Sequence, residues 1–390
     1  MSICIETGFE SINKYGEELC GDKVEIIRNR DAVIIVLADG LGSGVKANIL
    51  ATLTSKIIAT MLNEGAEIDE CVETIASTLP VCLDRGIAYS TFTILKVCYS
   101  GEAYLTEFDN PATILVHNGK VSTLTRTAKI IGDKRINESC FNVEPDDMMI
   151  LFSDGVVHAG VGKLLNLGWE HENVQEYIQN ALRPELTAHT LSRQLVSACD
   201  SLYLQKPGDD TTVVSVRVLR PVEARIMVGP PVNPACDSEV VSKLLKGQGR
   251  KVVCGGTTSQ IVSRESGKEL KVNLEYHNAA IPPTGSMEGI DLVTEGVLTL
   301  GKILEIIKQY SSLNAKSGET LNLSKKDGAT RVARLLLEEC TEVHFLVGRA
   351  MNPAHQNPDM PLSLSIKLRL VEDISQCLRS LGKDVEVEYY

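Results

Sequence analysis

Apolar residues in the first 220 positions follow two spacings, one typical of buried strands and one typical of helices. The run 33–37 is five apolar residues rich in β-branched types, which predicts a buried strand. Residues 45–62 place apolar side chains three and four positions apart, which predicts a helix directly after it. Further helices are predicted at 67–79, 171–183 and 187–204. Further strands are predicted at 3–13, 24–28, 90–99, 102–108, 113–117, 148–153 and 212–218.

The order of these elements predicts the architecture. Two runs of strands and two pairs of helices indicate two stacked sheets with helices on their outer faces. Arg220-Pro221 is the predicted linker, so we expect a domain at 1–220 and a smaller α/β domain at 221–390. The whole chain is therefore expected to be of the α+β class.

The second part of the chain contains one pattern twice. A strand, a loop, a helix and a strand are predicted at 224–254 and again at 343–387. Val228 and Val347 end the first strand of each copy and are 119 residues apart, and an Asn-Pro-Ala turn follows both. An internal duplication and a chance similarity of two turns both remain open. Between the copies, residues 287–310 are predicted to be largely helical.

A glycine-rich segment, Cys254-Gly255-Gly256-Thr257-Thr258, follows a predicted strand of the second domain. Backbone amides and hydroxyl groups in such a loop can hold a phosphate, although the lysine of a P-loop is absent. A plain hairpin turn is the alternative. A small ligand or a partner protein at this domain is therefore left open.

Charge and composition exclude some functions. The net charge of −12 at pH 7 argues against nucleic acids and anionic membrane surfaces, which need basic patches. The N-terminus lacks the basic and apolar regions of a signal peptide, and no run of about 18 apolar residues predicts a membrane span. The 11 cysteines lack CxxC spacing, so we expect reduced thiols in a cytoplasmic protein.

Acidic residues stand at turns beside four predicted strands. Asp39 and Asp154 each end an apolar run and precede a glycine, Asp22 precedes the second strand, and Asp209-Asp210 precede the last strand. None of them has an obvious lysine or arginine partner in the sequence, although Lys23 follows Asp22. A carboxylate held stiffly at the end of a buried strand needs a partner, and hard oxygen ligands suit Mg²⁺ or Mn²⁺.

These motifs resemble those of the type-2C metal-dependent serine/threonine protein phosphatases, in the branch of bacterial stage II sporulation protein E. The resemblance covers residues 3–219, with the motifs in the family's order, and does not extend to 221–390. The motifs are Asp22, Ala38-Asp39-Gly40, Asp109-Asn110-Pro111-Ala112, Ser153-Asp154-Gly155 and Asp209-Asp210-Thr211-Thr212-Val213.

The resemblance implies an αββα sandwich with two divalent cations at one edge. Asp39 would bridge both ions with help from the Gly40 carbonyl, Asp154 and Asp209 would hold one ion, and Asp22 would hold the other. The same four aspartates are the candidate catalytic residues, and Asp210 is the less certain member of its pair. Two such ions can activate a water for in-line attack on a phosphomonoester.

The chain departs from many relatives in two respects. Leu41 follows Asp39-Gly40 where relatives outside this branch carry a histidine that protonates the leaving oxygen. No arginine stands at a phosphate-binding motif position, and Arg28 and Arg30 are weak candidates. His158, shortly after Asp154, is a candidate for substrate contact, although an ordinary polar role is the alternative.

The function that the resemblance implies is metal-dependent hydrolysis of phosphoserine or phosphothreonine in a protein, regulated by residues 221–390. The substrates would be phosphoproteins of partner-switching regulation, and a homodimer is left open. The alternatives are a catalytically weak phosphoprotein-binding module and a hydrolase of a small phosphoester. The helix predicted at 45–62 begins at the metal motif, so we expect that its movement would regulate the site.

Overall fold

The computed structural model describes residues 3–78, 81–82, 87–88, 90–131, 134–184, 186–272, 283–313, 327–350 and 362–390. The chain divides into two compact units, Met1–Arg220 and Pro221–Tyr390.

The N-terminal unit alternates strands and helices much as the spacing of its apolar residues predicts. Its strands and helices are, in chain order, β1 (Cys4–Ile12), β2 (Asp22–Arg28), β3 (Ala32–Gly40), α1 (Gly44–Asn63), α2 (Ile68–Thr78), β4 (Val81–Cys82), β5 (Ile87–Ala88), β6 (Ser90–Cys98), β7 (Glu102–Phe108), β8 (Ile114–His117), β9 (Lys120–Ser122), β10 (Thr127–Ile131), β11 (Lys134–Asn142), β12 (Met148–Phe152), α3 (Asp154–Val157), α4 (His171–Ala181), α5 (Ala188–Leu202) and β13 (Thr211–Leu219).

Two antiparallel sheets form the centre of this unit. One has the strand order β1-β13-β12-β8-β9 and the other β10-β11-β7-β6-β3-β2. Leu37 and Leu95 of the second sheet share a buried cluster with Met149 and Val214 of the first, so the sheets pack face to face. The αββα sandwich is thus confirmed for this unit.

Helices cover the outer face of each sheet. Ile58 of α1 and Val72 of α2 share a buried cluster with Ile34 of β3. On the other side, Ile178 of α4 and Leu195 of α5 share a buried cluster with strands of the first sheet. Each helix therefore buries its apolar stripe on a sheet, as its residue spacing predicts.

The helices and cysteines of the described residues were compared with what a membrane span or a disulfide requires. Helix α1 is the one described helix that is long and apolar enough to cross a membrane by length and composition, and 39% of its most apolar part is buried in the fold. Core helices of soluble proteins share this length and composition. The cysteines that the structure describes form no disulfide with one another.

The sequence prediction missed the strands at 120–142. Strand β11 carries Arg135, Asn137 and Glu138 among its apolar residues, and half-exposed or exposed positions dominate it. It pairs with β7 from Asn137 opposite Glu107 to Asn142 opposite Glu102. Such a strand is stabilised by its neighbours more than by its own apolar pattern, which therefore does not reveal it.

The second unit is built on a mostly parallel sheet. Its elements are β14 (Glu223–Val228), a short 3₁₀ turn (Pro234–Cys236), α6 (Asp237–Lys246), β15 (Arg250–Cys254), α7 (Gly256–Ser266), β16 (Lys271–Val272), β17 (Gly285–Met287), β18 (Ile290–Thr294), α8 (Val297–Leu313), α9 (Gly328–Arg334), a π-helical segment (Leu335–Glu339), β19 (Glu342–Val347), α10 (Leu362–Ser380) and β20 (Asp384–Tyr389). The strand order is β16-β17-β18-β15-β14-β19-β20.

One prediction for this unit is wrong. Residues 285–294 form a hairpin, so the predicted helix does not begin at 287: β17 and β18 join through Gly289, whose φ of +82° favours glycine. Helix α8 begins only at Val297. Asp291 of the hairpin bonds Arg250.

The two strand–loop–helix–strand segments lie side by side. β14 pairs with β19 in parallel, Glu223 opposite Glu342 and Val228 opposite Val347. The 119-residue offset of the sequence pattern is thus also the register of the central strand pair. A common origin of the two segments stays a prediction.

Candidate active site

Asp22 and Asp39 lie opposite each other at the end of the β2–β3 pair. Asp22 begins β2, and Asp39 is the penultimate residue of β3. Side chains at directly opposed positions are about 5 Å apart at Cβ, and like charges there repel. Asp22 is 5% exposed, so water screens this repulsion little.

Asp154 reaches the same region from the other sheet. β12 ends at Phe152, Ser153 precedes α3, and Asp154 is the first residue of that short helix. The buried Ser153 hydroxyl donates to Asp22 Oδ2 at 2.7 Å and accepts from the Thr212 amide at 2.9 Å. This one hydroxyl therefore connects the end of β12 with the start of β13 and the start of β2.

Asp209 and Asp210 arrive on the turn before β13 and differ in burial. Asp210 is 4% exposed, and its Oδ1 accepts from the Lys14 amide at 2.9 Å. Asp209 is 41% exposed at its side chain and accepts from the Asp210 amide at 3.1 Å. The sequence-predicted metal ligand is thus the more accessible carboxylate of the pair.

Mutual repulsion and burial act on the protonation of these groups. Burial raises the pKa of Asp39, and the charges of Asp22, Asp154, Asp209 and Asp210 raise it further. Burial also raises the pKa of Asp22, against the hydrogen bonds from Ser153 and Thr212. The pKa of Asp154 is raised by burial and by Asp209. A positive charge at this centre would return these groups to carboxylates.

Two observations test whether the centre fits divalent cations. No three His, Cys, Asp or Glu side chains of the described residues lie close enough together to form a ready-made metal site. The buried oxygens Asp22 Oδ1 and Asp210 Oδ2, however, have no hydrogen-bond partner, and such oxygens are costly unless something binds them. An all-oxygen set that keeps several waters is what Mg²⁺ and Mn²⁺ accept, so the residues present fit these ions.

Gly40 connects this centre to helix α1. A Cβ on Gly40 would lie 2.1 Å from the Ala47 carbonyl oxygen, so only glycine lets α1 pack this closely on the end of β3. The Gly40 amide donates to the Gly21 carbonyl at 3.1 Å. At the helix start, Ser43 donates to Glu17 at 2.9 Å, which leaves its hydroxyl in a structural role.

Comparison with known protein families gives a match for this unit. Residues 29–219 match the family model described as "Stage II sporulation protein E (SpoIIE)". The match lies within the N-terminal unit and covers just under half of the whole chain. No curated protein sequence matches the chain.

Solved structures with a similar fold include several phosphatase domains. The SpoIIE phosphatase domain from Bacillus subtilis is 18% identical, with a TM-score of 0.45 over 56% of this chain and 94% of that one. The RsbU and RsbW domains of Rv1364c from Mycobacterium tuberculosis are 15% identical, with a TM-score of 0.47 over 62% and 68%. RsbX in complex with magnesium is 20% identical, with a TM-score of 0.40 over 55% and 96%.

The N-terminal unit carries a cation that sequence inspection missed. Lys14 Nζ lies 3.6 Å from Asp209 Oδ1, although 195 residues separate them in the chain. The expectation that these aspartates lack a neighbouring lysine or arginine is therefore wrong. The one sequence feature that could have indicated this contact is the position of Lys14 just after β1, because β1 pairs with β13.

The two arginines considered for phosphate binding do not serve this centre. Arg28 donates to Ile5 O and to Thr7 Oγ1, at 2.9 and 2.7 Å. It ends the strand that Asp22 begins, and six residues of strand span about 20 Å. Arg30 lies beyond Arg28 on the turn that follows.

The Asp109–Ala112 motif, which resembles that of the SpoIIE branch, contacts β6, the strand that pairs with β3 at Asp39. Thr91 is opposite Asp39 on β6. The Asn110 side chain accepts from Thr91 Oγ1 at 2.6 Å and donates to Thr93 Oγ1 at 3.1 Å. It therefore braces the strand next to Asp39. Asp109 has a φ of +53° at the start of the turn, a conformation that aspartate tolerates.

His158 stands at the rim of the centre. Its Nδ1 lies 3.8 Å from Asp154 Oδ2, and its side chain is 57% exposed. In the described residues no hydrogen bond orients the imidazole toward Asp22 or Asp39, and its contact with a substrate stays a prediction.

The glycine-rich segment of the second unit is a strand-to-helix turn. The prediction of a hairpin there is wrong, because α7 begins at Gly256 directly after β15. Gly255 has a φ of +119°, and its amide donates to Thr294 O at 2.9 Å. Phosphate binding at this turn stays a prediction.

Proposed function

We propose that the N-terminal unit hydrolyses phosphoserine or phosphothreonine in a protein, with two Mn²⁺ or Mg²⁺ ions as cofactors. The observation that supports this proposal is that aspartates from both sheets act on one another electrostatically, since the charges of Asp22, Asp154, Asp209 and Asp210 all raise the pKa of Asp39. The buried oxygens Asp22 Oδ1 and Asp210 Oδ2 lack a hydrogen-bond partner. The match to the SpoIIE family model supports a phosphatase, and the unpartnered oxygens support a cation-loaded centre.

We propose the ligand roles that the family resemblance implies. Asp39 is central, because its pKa responds to all four other aspartates, so it is the candidate bridge between the ions, with the Gly40 carbonyl beside it. Asp154 and Asp209 would hold one ion and Asp22 the other. The bound ions would activate water for attack and neutralise phosphoryl charge. Asp210, buried and bonded to the Lys14 amide, would orient its neighbour Asp209.

Protonation of the leaving oxygen falls to water in this proposal. Leu41 stands where many related phosphatases have a histidine, and it is only half-buried. Without a positioned general acid, the reaction lacks the rate increase of roughly 10²–10⁴-fold that such an acid usually contributes. The protein substrate would then supply part of the specificity and rate through its own contacts.

The experiment is a comparison of the purified full-length chain with its Asp39→Asn variant on a phosphoserine peptide. Turnover should require Mn²⁺ or Mg²⁺, stop with EDTA, and fall by more than about 100-fold in the variant. Asp31→Asn, at the exposed turn between β2 and β3, is the matched control and should retain full activity. Equal turnover by wild type and Asp39→Asn would refute the proposal.

Two other functions give different results in the same assay. A binding module would hold the phosphopeptide with a measurable affinity and show no metal-dependent turnover at high protein concentration. A small-molecule phosphoesterase would turn over p-nitrophenyl phosphate or phosphorylated metabolites with higher kcat/KM than the phosphopeptide.

We also propose that a partner controls the centre through α1 and that residues 221–390 bind the regulating ligand or protein. Helix α1 touches the centre through Gly40 and exposes Val45, Ile49 and Leu53, which are four residues apart on one face. A displacement of this helix would move Gly40, and with it Asp39. A homodimer or a regulatory protein would both suit this face, and cross-linking at Ile49 would distinguish them.

A further inference from the structure

The loop between β1 and β2 is fixed against the turn that carries Asp209 and Asp210. The Lys14 amide donates to Asp210 Oδ1 at 2.9 Å, and the Tyr15 amide donates to the Pro207 carbonyl at 2.9 Å. These two main-chain bonds set the position of the Lys14 backbone. Its side chain is therefore held at the acidic centre by the fold, whatever its amine contacts.

The Lys14 amine itself is loosely held. It lies 3.6 Å from Asp209 Oδ1, beyond hydrogen-bond distance, and the two side chains are 37% and 41% exposed. An ion pair this open to water contributes little stability. The ammonium can therefore turn from Asp209 to an anion that enters the centre.

Charge balance gives that ammonium a function. Five carboxylates carry one charge more than two divalent cations neutralise, while a phosphomonoester brings close to two further negative charges. An arriving substrate would meet a net negative centre unless another cation stood beside it. Lys14 forms the one lysine or arginine salt bridge to these aspartates among the described residues.

Two other lysines near this edge are engaged elsewhere. Lys163 donates to the Tyr203 carbonyl at 2.6 Å, and Lys206 lies over the Tyr15 ring, 5.4 Å from its centroid. Arg28, at the far end of β2 from Asp22, is bound to β1 through both of its terminal nitrogens. Of these four cations, Lys14 is the one paired with an aspartate of the centre in the described residues.

We propose that Lys14 binds a phosphoryl oxygen of the substrate and of the phosphate product. The ammonium acts as a flexible point charge, which suits a substrate whose phosphoryl oxygens change position during transfer. The inference rests on the proposed function for its substrate, but it assigns a residue that the motifs did not indicate.

The test uses full-length Lys14→Met and Lys14→Arg, with Lys206→Met as a control that removes a charge from the same edge. Calorimetry measures the binding of Mn²⁺, and then of inorganic phosphate to the Mn²⁺-loaded protein. Steady-state assays give kcat and KM on a phosphoserine peptide.

Lys14→Met should weaken phosphate binding and raise KM by about tenfold or more, the usual effect of losing a charge-assisted hydrogen bond. Its Mn²⁺ affinity should be unchanged or higher, because no ammonium competes for Asp209. Lys14→Arg should recover part of the phosphate affinity, and Lys206→Met should match wild type.

The inference is overturned if Lys14→Met binds phosphate within twofold of wild type, or if it loses Mn²⁺ affinity and melting temperature together, as a structural residue would. Phosphate binding needs no turnover. A wild type that binds Mn²⁺ and phosphate without hydrolysing any phosphopeptide would therefore refute the proposed function and leave the Lys14 test decisive.

Discussion

Asp22 and Asp39 face each other across the antiparallel β2–β3 pair, with Ser153 from the opposite sheet bonded to Asp22. Opposed carboxylates cost stability, and this pair is placed where screening by water is weak. The fold tolerates the cost because the two sheets bury a large apolar interior between them.

Metal-free protein should become less stable as the pH rises from about 4 through the neutral range. The folded-state pKa of Asp39 is raised above the ordinary 3.8, so the folded state binds more protons than the unfolded state in this window. The contribution of Asp39 to stability is therefore complete at about pH 4 and is lost as the pH rises toward the folded-state pKa of Asp39. Asp39→Asn should flatten the slope of melting temperature against pH.

The stabilisation of the protein by Mn²⁺ should depend on pH in the opposite sense. The increase in melting temperature that Mn²⁺ causes in wild type should grow with pH over the same window, because the carboxyl groups must be deprotonated to bind the metal. A wild-type slope that Asp39→Asn leaves unchanged would contradict the assignment of this carboxyl as the source.

Ser153→Ala should lower stability and metal affinity together. The hydroxyl bonds Asp22 and the Thr212 amide inside the protein, so its loss should cost about 1–3 kcal/mol in the free energy of unfolding. Asp22 would also lose its orientation, which should weaken Mn²⁺ binding by about 10- to 100-fold.

Ser192→Ala is the matched control for this variant. Its buried hydroxyl is within hydrogen-bond distance of Gly8 O and Ser215 Oγ, in a part of the sheet with no acidic residues of the centre. Urea unfolding should show a similar loss of stability, while Mn²⁺ affinity stays at the wild-type value. Equal Mn²⁺ affinities for both variants would argue against a positioning role for Ser153.

Gly40→Ala should destabilise the N-terminal unit and impair its activity. The new methyl group would meet the Ala47 carbonyl at 2.1 Å, and backbone on both sides must shift, at a cost of about 1–3 kcal/mol or more. Thermal unfolding and Mn²⁺-dependent turnover check this. Gly301→Ala, within α8 and with no atom within 4 Å of the added Cβ, should instead be neutral or stabilising.

His117 should give a second, separate pH dependence. A hydrogen bond to the buried Asp147 raises the pKa of His117 above the ordinary 6.5. A raised histidine pKa means that its stabilisation is complete below about pH 6.5 and is lost as the pH rises through the folded value. The difference in melting temperature between wild type and His117→Gln should therefore shrink from pH 6 to pH 9.

Activity measurements distinguish the pH dependence that comes from His117 from that of the acidic centre. His117 lies at the end of β8 and is not among the residues of the centre, so His117→Gln should keep wild-type kcat and KM. A fall in metal affinity in this variant would mean that the β8–β9 turn is coupled to the site.

Sequence inspection predicted the parts of this protein that its local patterns determine. The five apolar residues before Asp39 and the helical spacing after it define β3 and α1 without reference to the rest of the fold. Lys14 is different, because only the pairing of β1 with β13 brings it to Asp209. The hairpin at 285–294 was missed because its apolar residues also fit a helical spacing. Gly289, with its positive φ, forms the turn between the two strands.

The pairing of β1 with β13 has a consequence for how the protein is made. Cys4 of β1 lies opposite Leu219 of β13, so β1 can form its strand pair only after the last strand of its unit has been synthesised. Asp209 and Asp210 are synthesised some 190 residues after Asp22. A nascent chain that stops short of β13 should therefore be unable to dephosphorylate anything, however much of its other sheet has folded.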